Sequence, residues 1–285
     1  MSKSNAAQNI NGWIIIDKPT GMTSSAVVNK IKWACSARKA GHAGTLDPSA
    51  TGILAIALGE ATKTIPYVTE QIKSYTFEVK WGEATDSDDS DGKIIKTSQM
   101  RPSEQDIIAI LPRFRGEIKQ TPPFFSAVKI NGRRAYELAR SGEDFDIASR
   151  SLFVSSLKLE KYISENSAIL SLECGKGGYV RSIARDLGLE LGCYGHVKWL
   201  RRIASGSFNL SMAHSLDTIL KLNKTSAVNN FILPVELGLS TIKHGTCTST
   251  AAEKIKNGNS APILCKGVRT GDEIWVSYSE IPIAI

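Results

Sequence analysis

The chain lacks any stretch approaching the about 18 consecutive apolar residues of a membrane-spanning helix. Its opening, MSKSNAAQNIN, has no apolar core of the kind a secretory signal carries. Cysteine is scarce and scattered. Cys35, Cys174, Cys193, Cys247 and Cys265 make an odd count of five, with no C-x-x-C pair among them. That argues against a disulfide framework and against a cysteine zinc site, and it fits reduced thiols in a cytoplasmic setting. Internal repeats and low-complexity tracts are absent. The acidic stretch TDSDDSDG, residues 85–92, begins like a calcium loop, but Ser98 stands where the closing bidentate glutamate belongs. It also lacks the apolar strand that aspartate-based phosphotransferases place directly before the first aspartate. The stretch reads as a solvated turn, and a metal-dependent aspartate hydrolase has no further support.

What is present is ordinary in amount and uneven in sign. The 285 residues are 42% hydrophobic and 22% charged, enough for a substantial core and incompatible with global disorder. That length suggests one large domain or two. Lys and Arg number 35 against 28 Asp and Glu, a net charge of +7 that favours a polyanionic partner, nucleic acid first.

Strands and helices mix without strict β-α-β alternation, which predicts an α+β fold. GWIIID, residues 12–17, reads as a buried strand after a flexible leader, 1–11. Val27, Val28, Ile31 and Ala34 give the apolar face of a helix running from about Thr23 to Ser36. In SYTFEVKWG, residues 74–82, Tyr75, Phe77, Val79 and Trp81 share one strand face. Ser103 and Asp106 look like a capping box. LFVSSLKLEKY and SAILSLEC read as strands. GKGGYVRSIARDLGLELG enters a helix near Tyr179 whose stripe is Ile183, Ala184, Leu187 and Leu191. LPVELGLST, residues 233–241, reads as a linker before about 45 residues with one helix and one strand.

Three stretches carry candidate chemistry. GHAGTLDPSATG, residues 41–52, is a long glycine-rich loop with Asp47 held between Leu46 and Pro48. Pro48 biases Asp47 towards an extended backbone, and the glycines permit close approach to a ligand. The competing reading is an Asx turn, since Asp-Pro is a frequent turn initiator. Arg181 lies in the first turn of its helix, where a cation opposes the helix dipole. Either a buried carboxylate offsets it or the side chain is solvated. Residues 119–140 interleave Phe124, Phe125 and Tyr136 with Lys129, Arg133, Arg134 and Arg140, as a nucleic-acid surface does and as an amphipathic edge also can. Arg201 and Arg202 add to the same basic character.

Seven blocks then occur in one order: GWIIIDKPTGMTS, GHAGTLDPSATGIL, ATKTIPYV, KSYTFEVKWGEATDSDDSDG, QTPPFFSAVKINGRRAYELAR, GGYVRSIARDLG and HVKWLRRI. Over about residues 12–210 the chain resembles the TruB family of tRNA pseudouridine synthases. The resemblance implies a mixed, largely antiparallel central sheet flanked by helices, followed by a small C-terminal β-containing domain, PUA-like or abbreviated. It implies a catalytic domain over 12–232, with 119–150 as an RNA-clasping insertion and 233–285 as linker and C-terminal unit. The implied reaction turns a uridine in the T-loop of tRNA into pseudouridine, with no cofactor and no metal. Asp47 matches the essential carboxylate and Arg181 its partner. Tyr75 matches the tyrosine that packs on the base and is the candidate for the late proton transfer. Tyr179 and Leu200 match residues lining the pocket. His42 matches a residue that fills space vacated in the T-loop. Lys63 of ATKTIPYV and Arg201 of HVKWLRRI complete the substrate-binding set.

Chemistry suits these roles. The bond from C1′ to nitrogen breaks and one to carbon 5 forms, and a carboxylate can attack C1′ or assist departure through a glycal. The uridine must leave its stack to be reached. The implied partner is tRNA through its T-arm, with a monomeric cytoplasmic enzyme needing no membrane and no obligate protein partner. An RNA-binding module that helps tRNA fold, without catalysis, is the alternative.

Overall fold

The computed structural model describes residues 10–223 and 225–285. Most of the expected leader, residues 1–9, lies outside them. The described residues form a ten-stranded mixed sheet. Its main strands are β1 (Gly12–Lys18), β2 (Thr51–Leu58), β3 (Lys73–Trp81), β4 (Gly116–Gln120), β5 (Arg150–Ser164), β6 (Ser167–Cys174), β7 (Gly195–Ser205) and β8 (His214–Ser215). They lie in the order β8-β1-β2-β7-β3-β6-β5-β4. Only β1 with β8 and β2 with β7 run parallel; the remaining neighbours are antiparallel. The sheet is thus mixed and largely antiparallel, as expected. No helix among the described residues is long and apolar enough to cross a membrane.

The helices follow their apolar stripes. In α1 (Ser24–Ala34), Val27, Val28, Ile31 and Ala34 are buried against Ile14, Ile16, Leu54 and Ile56 of β1 and β2. Thr23 caps it by accepting from the Ala26 N–H at 3.1 Å. In α2 (Glu104–Ile110), Ser103 accepts from the Asp106 N–H at 3.2 Å, and the Asp106 carboxylate accepts back from the Ser103 N–H at 2.9 Å. In α3 (Val180–Glu190), Ile183, Ala184 and Leu187 pack on the alternating face of β3, where Tyr75, Phe77, Val79 and Trp81 are buried. Burying each large apolar side chain contributes about 1.5–3 kcal/mol.

The parallel contact between β2 and β7 is short. It pairs only Thr51 with Arg201 and Gly52 with Arg202, and beyond it the two strands diverge. The edge of β7 left open takes the acidic turn instead: Asp89 bridges Val197, and the Val197 N–H donates to the Asp88 carbonyl at 3.0 Å. Gly52 makes the contact possible. Its φ is +98°, and a Cβ there would sit 2.1 Å from the Arg202 carbonyl oxygen.

The stretch expected as a linker is held down at its start. Trp13 and Leu233 exchange backbone hydrogen bonds of 2.8 and 2.7 Å, and the Trp13 indole N–H donates to the Val235 carbonyl at 3.3 Å. After it, Lys243–Thr246, Ile274–Tyr278 and Ile281–Ala284 form a separate three-stranded sheet beside the helix Ser249–Lys256.

Candidate active site

The loop 43–50 enters β2 at the point where β2 and β7 part. Its backbone is fastened around Asp47 from three directions. The Ser24 hydroxyl donates to the Leu46 carbonyl and accepts from the Leu46 N–H, both at 2.9 Å. Lys18 Nζ, buried, donates to the carbonyls of Pro48 at 3.0 Å, Pro19 at 2.8 Å and Met22 at 2.7 Å. Burial brings the Lys18 ammonium down to about 8, and Asp47 opposes that drop. The Arg202 guanidinium, 1% exposed, donates to the carbonyls of Gly44 at 3.0 Å, Thr45 at 3.4 Å and Ile53 at 2.8 Å. With the flanking backbone fixed, the Asp47 side chain is left to face the cleft, 37% exposed.

Opposite it stands Arg181. Its Nε lies 2.9 Å from Asp47 Oδ2, and its side chain is 6% exposed. The solvated alternative for Arg181 is therefore excluded, and the carboxylate that offsets the helix dipole is Asp47. The same guanidinium donates to the Ser87 and Phe125 carbonyls, each at 3.0 Å, and lies 3.7 Å from Asp89 Oδ2.

This corrects the reading of residues 85–92 as a solvated turn. Ser87 and Asp88 are buried. Arg185, one turn beyond Arg181, reaches Asp88 Oδ2 at 2.9 Å. Burial pushes the Asp88 carboxyl up to about 6, against the pull of Arg185, and it raises Asp89 as well, against Ser87 and Arg181. Two buried carboxylates are tolerable here because two arginines of α3 close on them.

Tyr75 of β3 is buried and pairs in register with Arg202. Burial pushes its phenol up, while the hydrogen bond and charge of Arg202 pull the other way. Tyr179 caps α3 without using its side chain. Burial raises its phenol too, with Ser126, Arg150 and Arg181 opposing. Asp47, Asp89, Arg181 and Leu200 line one cleft, together with Ser49, Ser90 and Trp199. His42 ends a short strand, Ala40–His42, paired with β2. Burial, helped by Arg202, lowers its imidazole and keeps it neutral near pH 7.

Five of the expected site residues, Tyr75, Tyr179, His42, Lys63 and Arg201, are not among those lining this cleft. Lys63 is on the turn Gly59–Thr64, 70% exposed and 2.5 Å from Glu60. Arg201 holds Asp17 through contacts of 2.7 and 3.0 Å. Its neighbour Arg202, counted before only as general basic character, is the arginine that grips the loop. The signal was available. Side chains alternate along a strand, so Leu200 on the inner face puts Arg202 on that face and Arg201 on the other.

Similarity to known proteins agrees with this geometry. The model of the TruB family pseudouridylate synthase N-terminal domain matches residues 32–180. That of the tRNA pseudouridylate synthase B C-terminal domain matches residues 181–240. The tRNA pseudouridine synthase B of Ruegeria pomeroyi is 48% identical over 285 residues, 100% of this chain and 94% of that one. The protein of the same name from Cereibacter sphaeroides strain ATCC 17025 is 50% identical over 100% of this chain and 95% of its own. A crystal structure of a Cbf5-Nop10-Gar1 complex superposes with a TM-score of 0.71 at 26% identity, over 94% of this chain and 75% of that one. The class is that of the pseudouridylate synthases. Within it, the chain belongs to the TruB family.

Proposed function

We propose that this protein isomerises a uridine in the T-loop of tRNA to pseudouridine, on a base flipped into the cleft between Asp47 and Leu200. The observation that carries this is the Asp47–Arg181 contact of 2.9 Å, with the carboxylate half-exposed and the arginine buried. A fixed, charged carboxylate facing solvent from a tied-down loop is what either route at C1′ requires: attack on the carbon, or assistance to departure of the base. Leaving the stack costs a few kcal/mol. The Tyr75 ring packs on the extruded base, the Tyr179 side chain and Leu200 bound the pocket, and a neutral His42 ring fills the space the base leaves. Tyr75, buried beside Arg202, is the candidate for the late proton transfer from carbon 5. Lys63, Arg201 and the basic insertion 119–150 hold phosphates through screened, salt-dependent contacts. The protein acts as a monomer in the cytoplasm and needs neither cofactor nor metal.

The test pairs wild type with Asp47→Asn on an unmodified tRNA transcript, mapping pseudouridine by carbodiimide primer extension and measuring tRNA affinity at fixed salt. The expected result is one modified T-loop uridine for wild type and none for Asp47→Asn, with affinity retained. Modification by Asp47→Asn at the wild-type rate refutes the role of Asp47. Wild-type binding with no modification means an RNA-folding module instead.

A further inference from the structure

The first turn of α3 has no side chain of its own to cap it. The helix start is instead clamped from across the sheet. Gln120, the last residue of β4, is 3% exposed. Its side-chain carbonyl accepts from the Tyr179 N–H at 2.9 Å, and its amide NH₂ donates to the Tyr179 carbonyl at 3.1 Å. Both backbone groups of the residue two before Arg181 are thus fixed by one planar amide.

The chain just beyond Gln120 makes three more links to the same turn. The Thr121 carbonyl accepts from the Ser182 hydroxyl and from Arg185, both at 2.8 Å. The Phe125 carbonyl accepts from Arg181 at 3.0 Å. Pro122 and Pro123 lie between these anchors, both buried, and fix their own φ, so the segment is a stiff strut. Gln120 is also the cross-strand partner of Arg150, so residues 121–149 leave and rejoin the sheet at one place. Gln120 stands at the root of the insertion and at the base of the arginine that holds Asp47.

We propose that Gln120 is a positioning residue for the isomerisation: its amide, gripping the Tyr179 backbone, sets Arg181 and Tyr179 and ties them to the seating of the 121–149 insertion. This rests on the reading of Asp47 and Arg181 as the catalytic pair. Gln120 touches neither base nor sugar, so it acts on the placement of groups that do. Misplacing such a group by about 1 Å slows a reaction on the order of a hundredfold.

A glutamate at 120 separates positioning from bulk folding. Ionised, it still accepts the Tyr179 N–H but repels the Tyr179 carbonyl. Protonated, it donates O–H to that carbonyl and restores both bonds. The charged groups around the clamp include Arg150 across the strand pair, Arg181 and Arg185 on α3, and, held by those arginines, Asp47, Asp88, Asp89 and Asp186. The cations favour the ionised glutamate, and burial with the aspartates favours the protonated one.

The experiment measures single-turnover rates and tRNA affinity for wild type, Gln120→Glu, Gln120→Met and Asp47→Asn from about pH 6 to about pH 9, a window around a carboxyl raised by burial. Expressing each rate as a ratio to wild type removes the titration of groups common to all. The proposal expects Gln120→Glu to be about a hundredfold slow at high pH and to recover towards the wild-type rate on acidification. It expects Gln120→Met, of similar volume and without charge, to stay slow at every pH even at saturating tRNA. Gln120→Met at the wild-type rate overturns the proposal, and so does a Gln120→Glu ratio that is flat with pH. If Asp47→Asn is inactive while Gln120→Met is fully active, only this inference fails. If Asp47→Asn is active, the catalytic reading itself fails.

Discussion

Replacing Arg202 with methionine removes the grip on the loop that carries Asp47. Two of its bonds to carbonyls are short, 2.8 Å to Ile53 and 3.0 Å to Gly44, and the third, to Thr45, is long at 3.4 Å. Hydrogen bonds from a charged donor contribute about 1.5–3 kcal/mol each, so the two short ones amount to about 3–6 kcal/mol. Methionine no longer has to bury a guanidinium, which returns part of that, and a net loss of about 2–4 kcal/mol is expected. For a chain of this size that is a fall of about 3–7 °C in melting temperature. The loss in rate should be larger in proportion, on the order of a hundredfold, because the loop 44–47 moves relative to Arg181. Arg202→Lys should fall between, since an ammonium cannot span carbonyls on both sides of the loop. Thermal melts, single-turnover rates and tRNA affinity separate the effects. An Arg202→Met protein that melts with wild type and turns over at the wild-type rate refutes the idea that this arginine organises the loop.

Other outcomes follow from the same site. Burial raises the Asp88 carboxyl to about 6, so the folded state binds that proton more tightly than the unfolded chain does. This group therefore adds stability as pH falls from about 6 towards 4, about 3 kcal/mol in full, and adds none above that window. Asp88→Asn should flatten the urea midpoint across this range, and parallel curves for the two proteins would sink the assignment. Lys63 is exposed and lies against Glu60. Lys63→Glu should weaken tRNA binding, lower the slope of log affinity against log salt by about one, and spare the rate at saturation; an unchanged slope argues against a phosphate contact.

Local pattern made the frame legible. The period-two alternation of Tyr75, Phe77, Val79 and Trp81 and the helical stripe of Ile183, Ala184 and Leu187 each name their buried face, and the two faces meet. The Asp47–Arg181 pairing came through likeness to a family; residue chemistry by itself read Asp47 more readily as a turn residue than as a catalytic one. The burial of Ser87 and Asp88 was not legible. A run of serine and aspartate looks solvated until arginines from a helix about a hundred positions later in the chain close over it. Gln120 was silent for the same reason, as its partner is the backbone of Tyr179, and backbone has no sequence signal.

The short contact of β2 with β7 has a topological consequence. The strands β3 to β7 come from one unbroken length of chain, 73–205, while β1, β2 and β8 are drawn from either side of it. In backbone pairing the two halves meet at only two residue pairs, and Arg201 and Arg202 reach across that seam to Asp17, Gly44 and Ile53. Asp47 belongs to one half and Arg181 to the other. Each half can keep its own core and still be inert if the proposed reaction needs the Asp47–Arg181 contact, which spans the seam. Enzymatic activity in this protein is a gauge of that stitching, and it should fail in mild denaturant before either core does.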